Sequence, residues 1–319
     1  MRSLEELSPA ENLEIENGLS LVSRVKLCLT IHSLIPTVSK PIDEWQLKRS
    51  LIDFLKSSIF PSVTVPEEDI VVRRHRDLKK RKREEPVAHG SLFIRDLGFL
   101  EGKKGKKKVD GERDVKELEK KFIDWRRVLV EKMNGIELNL EGVKYKLSVV
   151  LPVSDDFERV KKDWEEFYAF GHPREIRREA DTMVLRGVPS RWFAEPRVSS
   201  KPSMLVTHTI FSSFGKISNL NVAEDDDLGK DADESNGGDL VSGLHCKIVV
   251  QFEKYNDFVN AMKAFSGRSM QKEGTRLKAD YELTWDKVGF FRNSRRALDN
   301  RDEAIGYSTD DLRRKRFRE

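Results

Sequence analysis

The chain has 319 residues, 36% charged and 38% hydrophobic, with 59 Lys and Arg against 55 Asp and Glu, a balance that predicts about two domains with modest cores. The net charge of +4 understates the local field because the two signs are segregated along the chain. No apolar run approaches the 18 residues of a membrane helix, the acidic N-terminus lacks a signal-peptide pattern, and Cys28 and Cys246 sit inside apolar strand candidates; the expectation is a soluble intracellular protein with reduced thiols and no membrane partner.

Residues 1–20 predict a frayed or weakly helical leader. Alternation over 22–34 predicts a strand, with Val25, Leu27, Leu29 and Ile31 on one face and Lys26, Cys28 and Thr30 on the other. Pro41 opens and Pro61 stops an amphipathic helix striped by Trp45, Lys48, Ile52, Leu55 and Ile59. Strands are expected over 63–72 and 90–97. A long helix from Asp114 carries Val115, Leu118, Phe122, Trp125 and Leu129, and a last strand covers 144–151. The order is β-α-β-β-α-β.

Residues 155–170 predict a connecting helix with Phe157, Val160, Trp164 and Phe167 on one face. So many large apolar groups need cover, and the expectation is that they pack on a sheet face near Val184 and Val249 or bridge the two domains.

The same element order then repeats. Thr182 to Pro189 is a strand, and Met204, Thr207, Ile210, Phe211 and Phe214 stripe a helix that Gly215 ends. Strands follow over 217–222 and 247–252. Asn256 and Asp257 are N-cap candidates for a second helix striped by Phe258, Ala261, Met262 and Phe265, which Gly267 stops. A strand over 277–285 closes the sheet, with Tyr281, Leu283 and Trp285 on one face.

Residues 181–285 resemble the RNA-recognition motif, a ferredoxin-like sheet whose open face stacks bases on aromatic side chains. At the three stacking positions this chain has Val184, Lys247 and Val249, while the buried Val250 and terminal Phe252 are kept. Stacking is worth roughly 1–3 kcal/mol per base, so the usual platform is disabled. Val184 and Val249 leave an apolar patch that a flanking segment covers or a protein partner reads. Arg186 and Lys247 remain for phosphates, which alone gives weak, salt-sensitive binding. In the first half, Phe93 reads as a core aromatic in preference to a degenerate signature.

A closer resemblance lies in Asp163-Trp164-Glu165-Glu166-Phe167, in Gly187-Val188-Pro189-Ser190-Arg191-Trp192-Phe193-Ala194, and in Phe211-Ser212-Ser213-Phe214-Gly215 with Ala261-Met262-Lys263-Ala264-Phe265-Ser266-Gly267. Over about residues 21–285 the chain resembles the A-kinase anchor protein 17A family of splicing-associated proteins. The resemblance implies an RNA-recognition-like domain in a nuclear-speckle protein that influences pre-mRNA splicing. The family's kinase-anchoring helices belong to a long charged C-terminal region, so with the chain ending at Glu319 kinase anchoring is not expected. Arg191, Trp192 and Phe193 follow the first strand, where they either touch RNA or a partner or cap the core.

Three charge tracts remain. Arg73, Arg74, Lys79, Lys80, Arg81, Lys82 and Arg83 fit a nuclear-import signal or a nucleic-acid patch, and Lys103 to Lys108 add a second basic loop in the same half. Residues 223–243 are an acidic, Gly-rich loop that should repel phosphate. Residues 287–319 form a charged, Arg-rich tail. The six histidines are scattered, His245 and Cys246 point to opposite strand faces, and neither a phosphate-binding glycine loop nor a nucleophile elbow is present, which predicts no enzyme, no metal, no cofactor and no small-molecule substrate.

The sequence thus predicts an α+β protein of two tandem ferredoxin-like (RNA-recognition-motif-like) βαββαβ domains joined by a helix. The boundaries are a leader at 1–20, a degenerate first domain at 21–153, a linking helix at 154–180 and a non-canonical second domain at 181–286. The function expected is nuclear, splicing-associated RNA binding, mainly through basic surface. The alternative is a protein-interaction module in which the patch of Val184, Val249, Trp164 and Phe167 holds a splicing-factor partner. An Arg-x-Phe run that some such modules use is approximated only by Arg268-Ser269-Met270.

Overall fold

Asn17 and Gly18 both adopt left-handed φ, 64° and 63°, and turn the chain back on itself. The hairpin they close joins β1 (Leu13–Ile15) to β2 (Leu19–Ser23), with Leu19 and Leu21 fully buried. This is strand where the composition predicts a frayed or weakly helical leader. The protein is described by a computed structural model covering residues 7, 8, 10–34, 41–59, 65–74, 85–97, 112–169, 179–195, 198, 200–224 and 244–292.

After a break at Arg24 comes β3 (Val25–Ser33), whose Val25, Leu27, Leu29 and Ile31 form one wall of a core. Helix α1 (Glu44–Phe54) is capped by Asp43, whose carboxylate accepts from the amides of Trp45 and Gln46, and it continues as a π turn through Ile59. Its buried face is Leu47, Leu51 and Ile52; Trp45, placed in the stripe by spacing, is half exposed with the Arg49 guanidinium 3.8 Å from its ring centroid. Strands β4 (Ile70–Arg74) and β5 (Ala88–Ile94) follow, then α2 (Glu112–Met133), β6 (Glu137–Leu140) and β7 (Val143–Val150). Strand β6 was not expected from the sequence: Glu141 and Gly142, at φ 51° and 83°, hinge it onto β7 as a hairpin. The sheet order is β4-β5-β3-β7-β6, all antiparallel, with α1 and α2 covering one face.

Helix α3 (Phe157–Ala169) leads to a second set: β8 (Thr182–Pro189), α4 (Met204–Ser212), β9 (Ile217–Glu224), β10 (His245–Phe252), α5 (Tyr255–Phe265), β11 (Arg268–Lys272), β12 (Lys278–Ala279) and β13 (Glu282–Trp285). The antiparallel order is β13-β8-β10-β9. In the core Phe258, Ala261, Met262 and Phe265 of α5 meet Ile210 and Phe211 of α4 over Met183, Leu185, Ile248 and Val250. Burying each large apolar group there stabilises by roughly 1.5–3 kcal/mol. Helix α5 starts earlier than its cap candidates suggest, with Lys254 at the N-cap; Asp257 instead accepts the Lys216 amide. The expected closing strand over 277–285 divides into β12 and β13, and of the α4 stripe Met204 is exposed.

A third sheet links residues 13–23 to residues 268–279. Strand β11 pairs with β2, Met270 opposite Leu21, giving the order β1-β2-β11-β12. Between this sheet and the first lies a buried ionic cluster. The Arg24 guanidinium is 2.5 Å from Asp280, bonds to Asp155, and donates from Nε to Ser269 Oγ at 2.8 Å. Arg95 donates to the same Ser269 at 3.0 Å and pairs with Asp69 at 2.8 Å. Burial opposes the Arg24 charge, but Asp155 and Asp280 together hold its pKa above the ordinary value. Burial pushes the Asp155 carboxyl up despite Arg24, so the desolvation cost of the cluster falls on that carboxylate.

Candidate nucleic-acid interface

The two-residue period of strands sorts the second sheet into a helix-covered face and an outer one. The outer face carries Thr182, Val184 and Arg186 from β8, and Lys247, Val249 and Gln251 from β10. Val249 stands directly opposite Val184, with Thr284 and Asn221 completing the row. Lys247 stands opposite Arg186, and Glu282 flanks Arg186 on the other side. A row that would hold stacking rings in an RNA-recognition motif therefore holds two paired valines, followed by a row with two cations and one carboxylate.

Those valines are not an open patch. Val184 is 9% exposed and Val249 only 1%. Helix α3 does not supply the cover, because it lies on the opposite face. Trp164 packs edge-on to Phe258 of α5 at 5.1 Å and donates to the Tyr255 hydroxyl, while Phe167, 47% exposed, meets Trp285 at 5.0 Å. The Trp285 indole donates to Asp163, whose carboxyl a hydrogen bond from Lys287 holds below its usual range. The expected packing of the Trp164 stripe near Val184 and Val249 is thus corrected: α5 and β13 offered the nearer apolar surface.

The chain beyond β13 does reach the outer face. The Asp286 amide donates to the Thr182 carbonyl at 3.0 Å, and the Asp286 carboxylate accepts from the amides of Val288, Gly289 and Phe290. Gly289 turns the chain at φ 77°, and the ring of half-buried Phe290 lies 5.9 Å from Lys247 Nζ. The residues predicted as the start of a solvated tail hold this turn.

Other predicted site residues have mixed placements. Phe193 is fully buried, stacked on Phe211, and Trp192 packs partly buried on the same core, its carbonyl accepting from Asn17. Arg191, which precedes them, is exposed. Arg268 is no docking residue: it is buried in β11, donating to the carbonyls of Ser8, Glu11, Lys263 and Ala264, and burial lowers its pKa to about 10. Phe93 is buried but belongs to neither apolar core; Arg24, Lys26 and Arg95 lie 5.0–5.7 Å from its ring centroid on the outer face of the first sheet.

That outer face is divided in charge. Around Phe93 the cations are taken, Lys26 by Asp280 at 2.7 Å. At the other end, register brings together Arg73 and His89, then His32 and Lys146, then Lys144 on the adjacent step, with Glu137 beside Lys146 as the facing carboxylate. Among the described residues Arg73, Lys144 and Lys146 are exposed on this face, while Arg74 pairs with Glu44 at 2.8 Å. Burial pushes the Cys28 thiol on this face up, and Lys26 only partly offsets it. Lys79, Lys80, Arg81, Lys82 and Arg83, the basic loop at 103–108, residues 225–243 of the acidic loop, and the tail beyond Arg292 lie outside the described residues; residues 223 and 224 belong to β9. Among the described residues no His, Cys, Asp and Glu group could hold a metal, and no helix is long and apolar enough to cross a membrane.

Four antiparallel strands in the order fourth, first, third, second, with two helices on one face, make the second sheet of this α+β protein consistent with RNA-recognition-motif-like folds. The chain belongs to the AKAP-17A-like, RNA-binding domain family, whose sequence profile matches residues 117–317. It is 28% identical over 178 residues to A-kinase anchor protein 17A of Homo sapiens, an alignment that takes in 54% of this chain and 25% of that protein. The chain therefore spans about a quarter of the length of the curated relative it matches.

Proposed function

We propose that this chain is a nuclear, splicing-associated RNA-binding protein of two tandem ferredoxin-like units joined by α3, which contacts pre-mRNA mainly through basic surface. The observation that carries the reading is the buried valine pair. With Val184 and Val249 where stacking rings would stand, and Arg186 beside Lys247 in the next row, the second sheet can offer charge but little ring surface from its own strands. The family's RNA-binding designation supports RNA as the partner. The exposed cations Arg73, Lys144 and Lys146 on the first sheet add a second set of phosphate contacts.

Such binding releases counterions, so affinity for single-stranded RNA falls with salt at a slope of about 0.7 per neutralised phosphate. The test is fluorescence anisotropy with the whole chain and a labelled single-stranded RNA across a salt series. A steep slope that Lys144→Glu with Lys146→Glu makes shallower is the expected result. A flat slope would overturn the charge mechanism, and no binding even at low salt would favour a splicing-factor protein as the partner.

A further inference from the structure

We propose that Phe290, delivered from beyond the last strand, is the ring on which this protein stacks an RNA base. The inference rests on the RNA-binding reading and names a contact that reading lacks.

The second sheet has lost rings from its strands, yet an aromatic side chain still stands at its outer face. Lys247 occupies one of the positions at which related sheets place a stacking ring, and the Phe290 centroid is 5.9 Å from its ammonium. Val249, two residues along on the same side, is 1% exposed although both helices lie behind the sheet. The approach of Phe290 is built in. The Asp286 carboxylate gathers three successive amides, Gly289 supplies the left-handed turn, and the Arg292 amide closes it on the Gly289 carbonyl at 3.0 Å. A side chain ordered this way loses little further entropy when a base lands on it.

Phe290 is half-buried, with the Phe291 ring edge-on to it at 5.2 Å, so it is supported and the residue keeps some exposed surface. A base stacked there has the Lys247 ammonium within reach of its flanking phosphate, with Arg186 on the neighbouring strand. This is an aromatic surface beside cations, the combination that single-stranded RNA sites use. Because every base has a π face, the contact raises affinity without fixing sequence.

The experiment compares Phe290→Ala, Phe290→Leu and Phe290→Tyr in the whole chain, binding the same labelled RNA at fixed moderate salt. Melting temperatures establish that each variant folds. Loss of one stacked base lowers affinity about 5- to 150-fold in the Ala variant. The Leu variant, which keeps apolar cover without a ring, falls with it, and the Tyr variant retains binding. In Phe290→Trp, the emission added over the parent chain should be quenched by RNA. If the parent binds and Phe290→Ala binds equally well, the platform is wrong. If Phe290→Ala binds more tightly, the ring is a cover that RNA must displace, which also overturns it. A parent chain that does not bind RNA refutes the underlying function instead.

Discussion

Replacing Arg24 by Met would remove the central charge of the cluster between the first and third sheets while keeping an apolar stem. The Arg24 and Asp155 side chains are 1% and 9% exposed, so the carboxylate left behind has little access to water. Asp280 keeps Lys26 at 2.7 Å, and the orphaned charge is therefore that of Asp155. Removing one partner of a buried pair costs about 3–5 kcal/mol. At roughly 2–4 °C per kcal/mol for a domain of 150–250 residues, melting falls by about 6–20 °C. The assay is urea denaturation followed by circular dichroism, with the unfolding slope compared between variants. Combining Arg24→Met with Asp155→Leu removes both charges and should restore most of the loss, since uncharged replacements of buried pairs are often neutral or better. A single-variant loss below about 1 kcal/mol, the range of exposed pairs, would refute the assignment of this cluster as a buried joint. So would a double variant as unstable as the sum of the two singles.

Gly90 of β5 tolerates no side chain, because a Cβ there would sit 2.8 Å from the backbone oxygen of Val71 on β4. Gly90→Ala must part the two strands and should cost about 1–3 kcal/mol, read as a lowered urea midpoint; an unchanged midpoint would contradict the close approach. Burial holds the Tyr281 phenol far above its ordinary pKa, its hydroxyl donating to the Phe265 carbonyl at 2.8 Å. The folded state keeps a proton that the unfolded chain releases near pH 10, so this contribution is whole below that pH and fades above it, by about 1.4 kcal/mol per pH unit. Tyr281→Phe should cost about 1 kcal/mol at pH 8 and then lose stability less steeply towards pH 11 than the parent; parallel pH profiles would disprove the linkage.

Local pattern was enough for elements whose burial follows their own period. The α5 stripe of Phe258, Ala261, Met262 and Phe265 is buried as its spacing predicts, and β8 and β10 lie side by side with Val184 facing Val249. Several failures share a cause: the deciding partner was remote in sequence. Strand β2 pairs with β11 across some two hundred and fifty residues, and its alternation stops at Leu19-Ser20-Leu21, since Val22 and Ser23 reverse it. Even so, Asn17-Gly18 beside Leu19 and Leu21 was a legible hairpin signal, whereas Glu141-Gly142 between β6 and β7 is not one of the favoured turn pairs. Arg24 looks like a solvent-facing strand residue until Asp155 and Asp280 are folded around it. Phe290 was hidden by its surroundings, since a charge-rich stretch directs attention to Lys and Arg and away from the rings among them.

The pairing of β2 with β11 also sets a timetable. Once strand β2 has been made, its mate follows only after roughly 250 further residues, a wait of about 12–50 s at ordinary synthesis rates. Throughout that interval a hairpin rich in leucine holds an unmatched row of amides and carbonyls, the kind of margin that nascent chains stick to one another by. Producing the second half alone creates the mirror situation, with β11 left bare where β2 should lie, so soluble fragments that contain β11 are best cut to keep β2 attached.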